Sequence, residues 1–569
     1  MQTQSKNSRL RAALLVPAFL VAGALLLPCA LRAQAVTGVG DDATMPKRGE
    51  LRFTLGSIWN SWYERYGQGT PGRANGTLEP LGINFNFDTI GVAQLENLGA
   101  VQTSIRSLAG LPGFTASLGA SKLQLHDDVQ TTPLAFEVGV AKRVSLSVMV
   151  PFVTATSHVN FLMNPTGLEP TLGFNPTLFA SAVVGTDAAF LAQFDSASAQ
   201  LTRSIAACAA SPSTPGCASI NANPTAARAL ITNANGFASG LAKVYGGRNG
   251  ATGMLFVPIE GTNAQTAIEA RVAAYKAQYA AYGTTAITGA GPIGAQAPLT
   301  AAGFNTVLTD STFGINAKPL ATSVMHGIGN IELGAKVNLF DSFHGNDSAR
   351  FAPKGFNWRQ SFGGVFRLGT STIPGAGDLT GIGTGDHQSS IEFRTFTDLL
   401  YGRHFWLSIV AGYTSQLADQ IAVRLPDTPT QTILASYRQD TVQRKMGDIV
   451  DIQINPRWTV NDYLLISGQY YYRHKAADSY TGFLSTADLN QNIDRIDASV
   501  LGLYTEMSES RMGIGATYST VATVARLKAG LPFDISYFHY ETTLGSLGRV
   551  PKISVDQVTV RVYRRLFGR

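Results

Sequence analysis

The stretch LAFEVGVAKRVSLSVMV, residues 134–150, decides the fold class of this chain. On either side of Lys142-Arg143, large apolar residues alternate with small or polar ones, so that Leu134, Phe136 and Val138 share one face. Such alternation is the pattern of a strand with one apolar and one polar face, and two such strands joined by two residues form a hairpin. The stretch therefore predicts an antiparallel β-hairpin.

The same alternation recurs in four later segments, which are residues 331–339, 405–413, 449–460 and 464–472. The strands of a soluble β-sandwich also alternate apolar and polar residues. The lengths of the connections are therefore what distinguishes a sandwich from a membrane barrel. Short connections (142–143, 402–403, 461–462, 507–510) alternate with long ones (152–329, 370–388, 417–447, 475–494), and 341–357 is the exception. Short turns at one end and long loops at the other are typical of outer-membrane barrels. The fold class predicted is all-β, a transmembrane antiparallel β-barrel.

Aromatic residues add an independent indication. Phe405 and Tyr413 fall on one face eight residues apart, which in a tilted strand is a vertical separation of roughly 20 Å. Trp458, Tyr470 and Tyr472 fit the same scheme. Barrels carry aromatic girdles at both membrane interfaces, so we expect these side chains to face lipid.

The pattern predicts about 16 strands, with 12 or 14 as alternatives because 80–88, 115–124 and 523–529 are weak. The predicted segments are 50–58, 80–88, 115–124, 133–141, 144–153, 329–340, 358–369, 389–400, 404–416, 448–460, 462–474, 495–506, 511–520, 523–529, 533–541 and 553–566.

The first residues have the composition of a cleaved signal peptide. Basic residues precede an apolar run, Ala12–Leu27, and Ala33-Gln34-Ala35 supplies a cleavage site after Ala35. Removing the four basic residues of the leader lowers the net charge from +6 to +2, and no basic patch of the kind that binds nucleic acid follows. We expect export to the outer membrane of a Gram-negative bacterium, with the barrel-assembly machinery and outer-membrane lipid as partners and no nucleic acid.

Four regions are predicted: the signal peptide (1–35), N-terminal barrel strands (36–159), an alanine-rich insertion (160–325) and C-terminal barrel strands (326–569). In the insertion, 187–210 and 264–282 have helical composition, and the insertion is either an extracellular excursion or a plug inside the barrel. A shorter helix, 95–108, is placed on the periplasmic side. Cys208 and Cys217 are expected to form a disulfide in an oxidising compartment, the alternative being two separate buried thiols.

Alternation also predicts which charged side chains line the lumen. They are Glu332, Lys336, Glu392, Arg394, Asp398, Asp451, Gln453, Arg457, Gln469 and Arg473. A polar lining suits a water-filled pore. Equally, mixed charges can pair across the lumen and hold the barrel closed, and both interpretations stay open.

Catalytic and metal-binding motifs were sought without result. The sequence has no G-x-S-x-G, H-E-x-x-H or Walker A motif, and the adjacent Ser157-His158 is weak evidence for a triad, which is defined by geometry. The eight histidines are scattered. We therefore predict no enzyme activity, no metal and no cofactor.

Three passages resemble the outer-membrane family described as a putative meta-pathway of phenol degradation. They are EVGVAKRVSLSVMVPF (137–152), GIGNIELGAKVNLF (327–340) and the glycine-rich loop 369–385. The resemblance implies an outer-membrane barrel distantly similar to transporters of fatty acids and aromatic hydrocarbons. One departure is the chain end, where Phe567 is followed by Gly568-Arg569 instead of ending on the aromatic residue.

Two functions follow as expectations. The first is a porin-like channel for passive uptake of small molecules, hydrophobic or aromatic ones if the resemblance holds. The alternative is a non-transporting outer-membrane scaffold whose excursion, residues 160–325, binds a partner, a surface polymer or a neighbouring cell.

Overall fold

The computed structural model describes residues 41–67, 74–343, 354–484, 496–527 and 529–567; the predicted signal peptide and its cleavage site lie outside them. One antiparallel sheet dominates the structure. Its strands, in chain order, are β1 (Glu50–Trp62), β2 (Ser121–Ala141), β3 (Val144–Met163), β4 (Ser323–Ile328), β5 (Ile331–Asp341), β6 (Phe356–Leu368), β7 (Ser390–Tyr401), β8 (Phe405–Gln416), β9 (Ile449–Thr459), β10 (Leu464–Lys475), β11 (Met507–Ser519), β12 (Phe533–Ser546) and β13 (Ser554–Arg565).

The sheet closes on itself as a barrel of 12 strands. β1 pairs with β13 on one side and with β2 on the other, and β2 pairs with β3. Residues 144–149 of β3 pair with β5, whereas residues 152–157 of the same strand pair with β4. β4 and β5 therefore act as one wall strand, interrupted at Gly329-Asn330.

The predicted number of about 16 strands is wrong and the lowest alternative, 12, is the one observed; each additional predicted strand has a local cause. Residues 81–85 form a 3-10 turn, 496–502 combine a two-residue strand with another 3-10 turn, and 523–529 lie in and after a helix. Segments 115–124 and 133–141 contribute to a single strand, β2, because the polar residues between them continue the wall beyond the apolar belt. The expected short connection 507–510 is the start of β11.

The two ends of the barrel differ, as the connection lengths predict. At the turn end, Lys142-Arg143 joins β2 to β3, three residues join β7 to β8, and Glu50 of β1 pairs with Arg565 of β13. The long connections lie at the opposite, loop end. A helix, α7 (Val521–Leu527), lies in the turn-end connection between β11 and β12.

The outer face of the wall carries two aromatic belts. Phe393 and Tyr413 are direct cross-strand partners nearer the loop end, with exposed fractions of 61% and 45%; Tyr401 and Phe405 are partners at the turn end, also exposed. Trp458 pairs with Phe405 and is 54% exposed. Eight residues separate the belts on each strand, about 20 Å vertically in a tilted strand, with apolar residues between them.

A helical cap covers the loop end. Its helices are α1 (Leu98–Ala109), α2 (Ser181–Ala210), α3 (Ala218–Ala222), α4 (Pro224–Tyr245), α5 (Asn263–Ala280) and α6 (Ala301–Thr309). They share one apolar core, which continues onto Leu123 of β2 and Phe161 of β3. The periplasmic placement of 95–108 is wrong, because β1 ends and β2 begins at the loop end.

The loop end also contains small strands and one covalent link. Asp419–Arg424, Gln439–Lys445 and Ser479–Thr481 form a three-stranded sheet. The remaining short strands are Glu64–Tyr66, Leu78–Pro80, Val550–Pro551, Leu172–Phe174, Phe256–Pro258, Phe483–Leu484 and Ile496–Asp497. A disulfide joins Cys208 to Cys217 between α2 and α3.

None of the described helices is both long and apolar enough to span a membrane.

Candidate functional site

The charged residues predicted to line the lumen lie on the inward face of the wall, and most are joined in ion pairs along neighbouring strands. On β5, β6 and β7, the Arg367 guanidinium contacts Glu332 at 2.7 Å and also contacts Glu392. Glu392 in turn accepts from Arg394. These four side chains form one mixed-charge cluster nearer the loop end.

A second cluster lies on β10 and β11. Glu509 accepts from Arg511 at 2.9 Å and lies 3.6 Å from the guanidinium of Arg473. Asp451 on β9 lies beside Gly412, where a Cβ atom would come within 2.5 Å of Asp451 Oδ1. The glycine therefore makes room for this carboxylate.

A third cluster lies nearer the turn end and is almost fully buried. Arg359 pairs with Asp398 at 2.8 Å, and the exposed fractions of the two side chains are 3% and 0%. The Trp406 ring lies under two cations, with the guanidinium carbons of Arg359 and Arg457 at 4.7 and 4.5 Å from its centroid. An aromatic face attracts cations, so one indole holds two arginines in the lumen.

Residues 41–48, which we call the N-terminal segment, lie inside the barrel and bind to these clusters. Asp41 contacts Arg394 at 2.5 Å and Asp42 contacts Arg457 at 3.1 Å. Between the two clusters, Ala43 packs against inward-facing Phe396. The segment supplies carboxylates to arginines that come from β7 and β9.

The backbone of the segment is held as well. The N–H of Ala43 donates to Asp398 at 3.2 Å, and the Ala43 carbonyl accepts from Ser361 Oγ at 2.8 Å. Lys336 Nζ donates to the Asp42 carbonyl at 3.0 Å. Farther along, Gly139 lies so close that a Cβ atom there would be 2.0 Å from the Lys47 carbonyl oxygen. The segment thus threads from mid-lumen to the turn end, where β1 begins.

Two other elements fill the lumen beyond the segment. At the turn end, α7 buries Val521 against Tyr563, whose hydroxyl donates to Asp534 at 2.6 Å. Toward the loop end, the connection 369–389 folds inward, and its Thr380 carbonyl accepts from Ser157 Oγ at 2.8 Å. The lumen lining is therefore contacted at three levels. Strands of the wall hold α7 and residues 369–389 at both of their ends, whereas the N-terminal segment precedes the first strand.

The opposite wall, built from β1, β2 and β3, is less polar. Pro133 and Pro151 are direct cross-strand partners, and Val129 and Met149 occupy inward positions near them. A Cβ atom at Gly56 would lie 2.9 Å from Pro133, so this glycine makes room for the proline. The charged clusters therefore face a wall that carries an apolar patch beside the Arg52–Glu137 ion pair.

Several residues of the lumen were missed from the sequence. Arg359, Arg367, Glu509 and Arg511 occupy inward positions that alternation could have identified. Asp41 and Asp42 carry no such signal, because their partners lie more than 350 residues away. Gln453 and Gln469 lie in β9 and β10, as expected.

The pair Ser157-His158 is not brought together as a catalytic unit. Ser157 points inward, where its hydroxyl also contacts Asp127 at 2.5 Å, whereas His158 points outward and contacts Asp128 at 3.2 Å. Adjacent residues of a strand face opposite sides of the sheet. Within the described ranges, no group of three or more His, Cys, Asp or Glu residues is arranged to hold a metal ion.

Comparison with protein-family models and with curated proteins finds no match. Among solved structures, an outer membrane channel from Pseudomonas putida F1 is similar over 93% of this chain and 99% of that one, at 7% identity and a TM-score of 0.38. A FadL homologue from Pseudomonas aeruginosa covers 94% and 100% of the two chains, at 7% identity and 0.28. The Pseudomonas putida toluene transporter TodX covers 94% and 97%, at 10% identity and 0.23. Sequence identities and TM-scores this low do not indicate a function, so the function is inferred from the residues of the barrel itself.

Proposed function

We propose that the protein is an outer-membrane channel for passive uptake of small molecules with apolar bodies, and that the N-terminal segment closes it. In this orientation the loop end faces the outside, and the turn end, where β1 begins and β13 ends, faces the periplasm. The apolar outer face between two aromatic belts suits the hydrocarbon core of a bilayer. Closure of the barrel also leaves no strand edge unpaired in lipid.

The observation that carries the proposal is the way in which the lumen is filled. A barrel that serves only as a scaffold needs no separate segment inside it. Here residues 41–46 are held by ion pairs and hydrogen bonds to side chains, such as Asp42 to Arg457, and not by a strand ladder. Contacts of this kind can be broken without unfolding the wall, so the segment is a removable plug.

The apolar wall supports the proposed class of substrate. Once the segment leaves, the lumen presents the Pro133, Met149 and Pro151 side of the wall to a solute, opposite the charged clusters. A solute with an apolar body would gain contact on one side while water hydrates the other. A purely ionic solute would gain nothing from that wall.

The test compares two chains in planar bilayers and in proteoliposomes, the full protein and a variant lacking residues 41–45. We expect the variant to conduct at least ten times more often than the full chain. We also expect it to admit the fluorescent anion 2-naphthalenesulfonate faster into proteoliposomes, because this solute has an apolar body but its charge keeps it from crossing the bilayer itself. Insertion is checked by protease protection, so that failure to insert is recognised. A barrel that stays impermeant in both forms would refute the proposal and leave the scaffold alternative.

A further inference from the structure

A cavity of about 420 Å³ lies at the loop end, outside the charged lumen. It is bounded by the connections that follow β8, β10 and β12. Its lining residues are Asn84, Arg424, Pro426, Pro429, Gln431, Thr432, Leu434, Lys475, Asp478, Val500, Leu501, Leu503, Tyr504, Thr505 and Arg549. Proline, leucine and valine side chains make up much of this surface, and the volume lies in the range of small-molecule sites.

Arg424 is the unusual member of this lining. It is only 7% exposed, and no carboxylate pairs with it in the part of the chain that the structure describes. Nη1 donates to the Leu434 carbonyl at 2.7 Å and Nη2 to the Asn316 carbonyl at 2.8 Å, while the buried Nε has no hydrogen-bond partner. A guanidinium has five N–H donors, and these two carbonyls take one each from Nη1 and Nη2.

Burial without an acidic neighbour is costly for Arg424. Burial lowers its pKa below the ordinary value for arginine. By contrast, the nearby Arg438 is equally buried but pairs with Glu96 at 2.5 Å and with Asp427 at 3.0 Å. A buried cation is normally paired, and Arg424 lacks the partner that Arg438 has.

The other charged residues that line the cavity have partners of their own. Lys475 and Asp478 form an ion pair with each other, and Lys475 also donates to the Thr505 carbonyl at 3.3 Å. Arg549 donates to the Pro429 carbonyl at 3.0 Å. The cavity thus combines apolar side chains with a guanidinium that has no carboxylate partner among the described residues.

We propose that this cavity binds a small carboxylate with a compact apolar body, whose carboxylate pairs with Arg424. The guanidinium fork matches the geometry of a carboxylate, and the leucine, valine and proline side chains receive the apolar part. The inference that the channel takes up such carboxylates rests on the proposed function. The inference that the protein binds them rests on the cavity alone.

The test is isothermal titration of the detergent-solubilised full chain at pH 7 with 2-naphthoate, with its neutral isostere 2-naphthamide and with inorganic phosphate. We expect 2-naphthoate to bind at least ten times more tightly than either of the others, because the amide lacks the charge and phosphate lacks the apolar body. Equal affinity for 2-naphthoate and 2-naphthamide, or for 2-naphthoate and phosphate, would overturn the inference.

Variants locate the binding within the protein. Arg424→Gln should weaken 2-naphthoate binding about ten-fold or more, because hydrogen bonds between charged partners are stronger than those that a neutral amide makes. Val500→Phe narrows the cavity without touching the guanidinium and should weaken binding as well, which keeps the test valid if Arg424→Gln disturbs the loops. Arg203→Gln, an exposed arginine on α2, is the charge-matched control and should bind as the parent does.

Unchanged binding in both cavity variants would refute the site. The outcome is separable from that of the proposed function, because titration does not depend on conduction. Binding by a chain that never conducts would refute the channel alone, and conduction by a chain that binds no 2-naphthoate would refute the cavity alone.

Discussion

Substituting Asp42 by asparagine should open the channel. In the closed barrel, Asp42 pairs with Arg457, whose side chain is 0% exposed. Removing one partner of a buried ion pair costs about 3 kcal/mol at the lower end of the usual range. If that cost falls on the closed state alone, the ratio of open to closed channels rises about 100-fold, since each 1.4 kcal/mol is a factor of ten.

The assay is single-channel recording in planar bilayers, with open probability as the readout. Asp195→Asn is the matched control, because Asp195 also pairs with an arginine but lies exposed on the helical cap. A double variant, Asp42→Asn with Arg457→Gln, should open less than the two single effects combined, because the two residues contact each other. An open probability in Asp42→Asn equal to that of the control would refute the reasoning.

Three other predictions concern the cap and the seat of the segment. Replacing Cys208 and Cys217 by serine should lower the unfolding free energy of the cap by about 2.5 kcal/mol, the chain-entropy value for so short a loop. The expected readout is faster proteolysis between α2 and α3, while the heat-modifiable gel migration of the barrel stays unchanged. Burial raises the pKa of Asp187 to about 6 from 3.8, so its protonated form is favoured in the folded cap. The contribution of Asp187 to cap stability should therefore be greatest below about pH 4 and fall as the pH rises to about 6. Thermal unfolding of the parent and of Asp187→Asn across this range should show that difference. Gly139→Ala would place a Cβ atom 2.0 Å from the Lys47 carbonyl oxygen. It should therefore raise the open probability of the channel while the heat-modifiable gel migration of the barrel stays unchanged. An unchanged open probability would mean that this contact does not hold the N-terminal segment in place.

The wall of the barrel could be predicted because the alternation of apolar and polar residues that marks a strand is visible within a short stretch of sequence. The alternation in residues 134–150 produces the hairpin of β2 and β3 with the expected turn, and the inward positions of Glu392 and Arg394 follow from the same period of two. The strand number was overestimated where the pattern is short. Residues 523–529 have the apolar content of a strand, but they lie at the turn end, where the connection folds back into the lumen as a helix.

The closing device and the cavity could not be predicted, because both depend on contacts between distant residues. Asp41 and Asp42 read as ordinary polar residues ahead of the first strand, and only the closed barrel brings them to Arg394 and Arg457. Arg424 is one of many arginines in the sequence. Its lack of a carboxylate partner appears only when three loops pack around it.

The most direct test of the account is a reversible lock on the N-terminal segment. Ala43 and Val410 lie in one buried cluster inside the lumen, so the variant Ala43→Cys with Val410→Cys should join the segment to β8 under oxidising conditions. We predict that the oxidised variant carries no current and that a reductant restores openings, while the parent protein with the same reductant serves as the control for the Cys208–Cys217 bond. Current that is unaffected by the lock, in a protein shown to be cross-linked, would contradict the claim that this segment closes the channel.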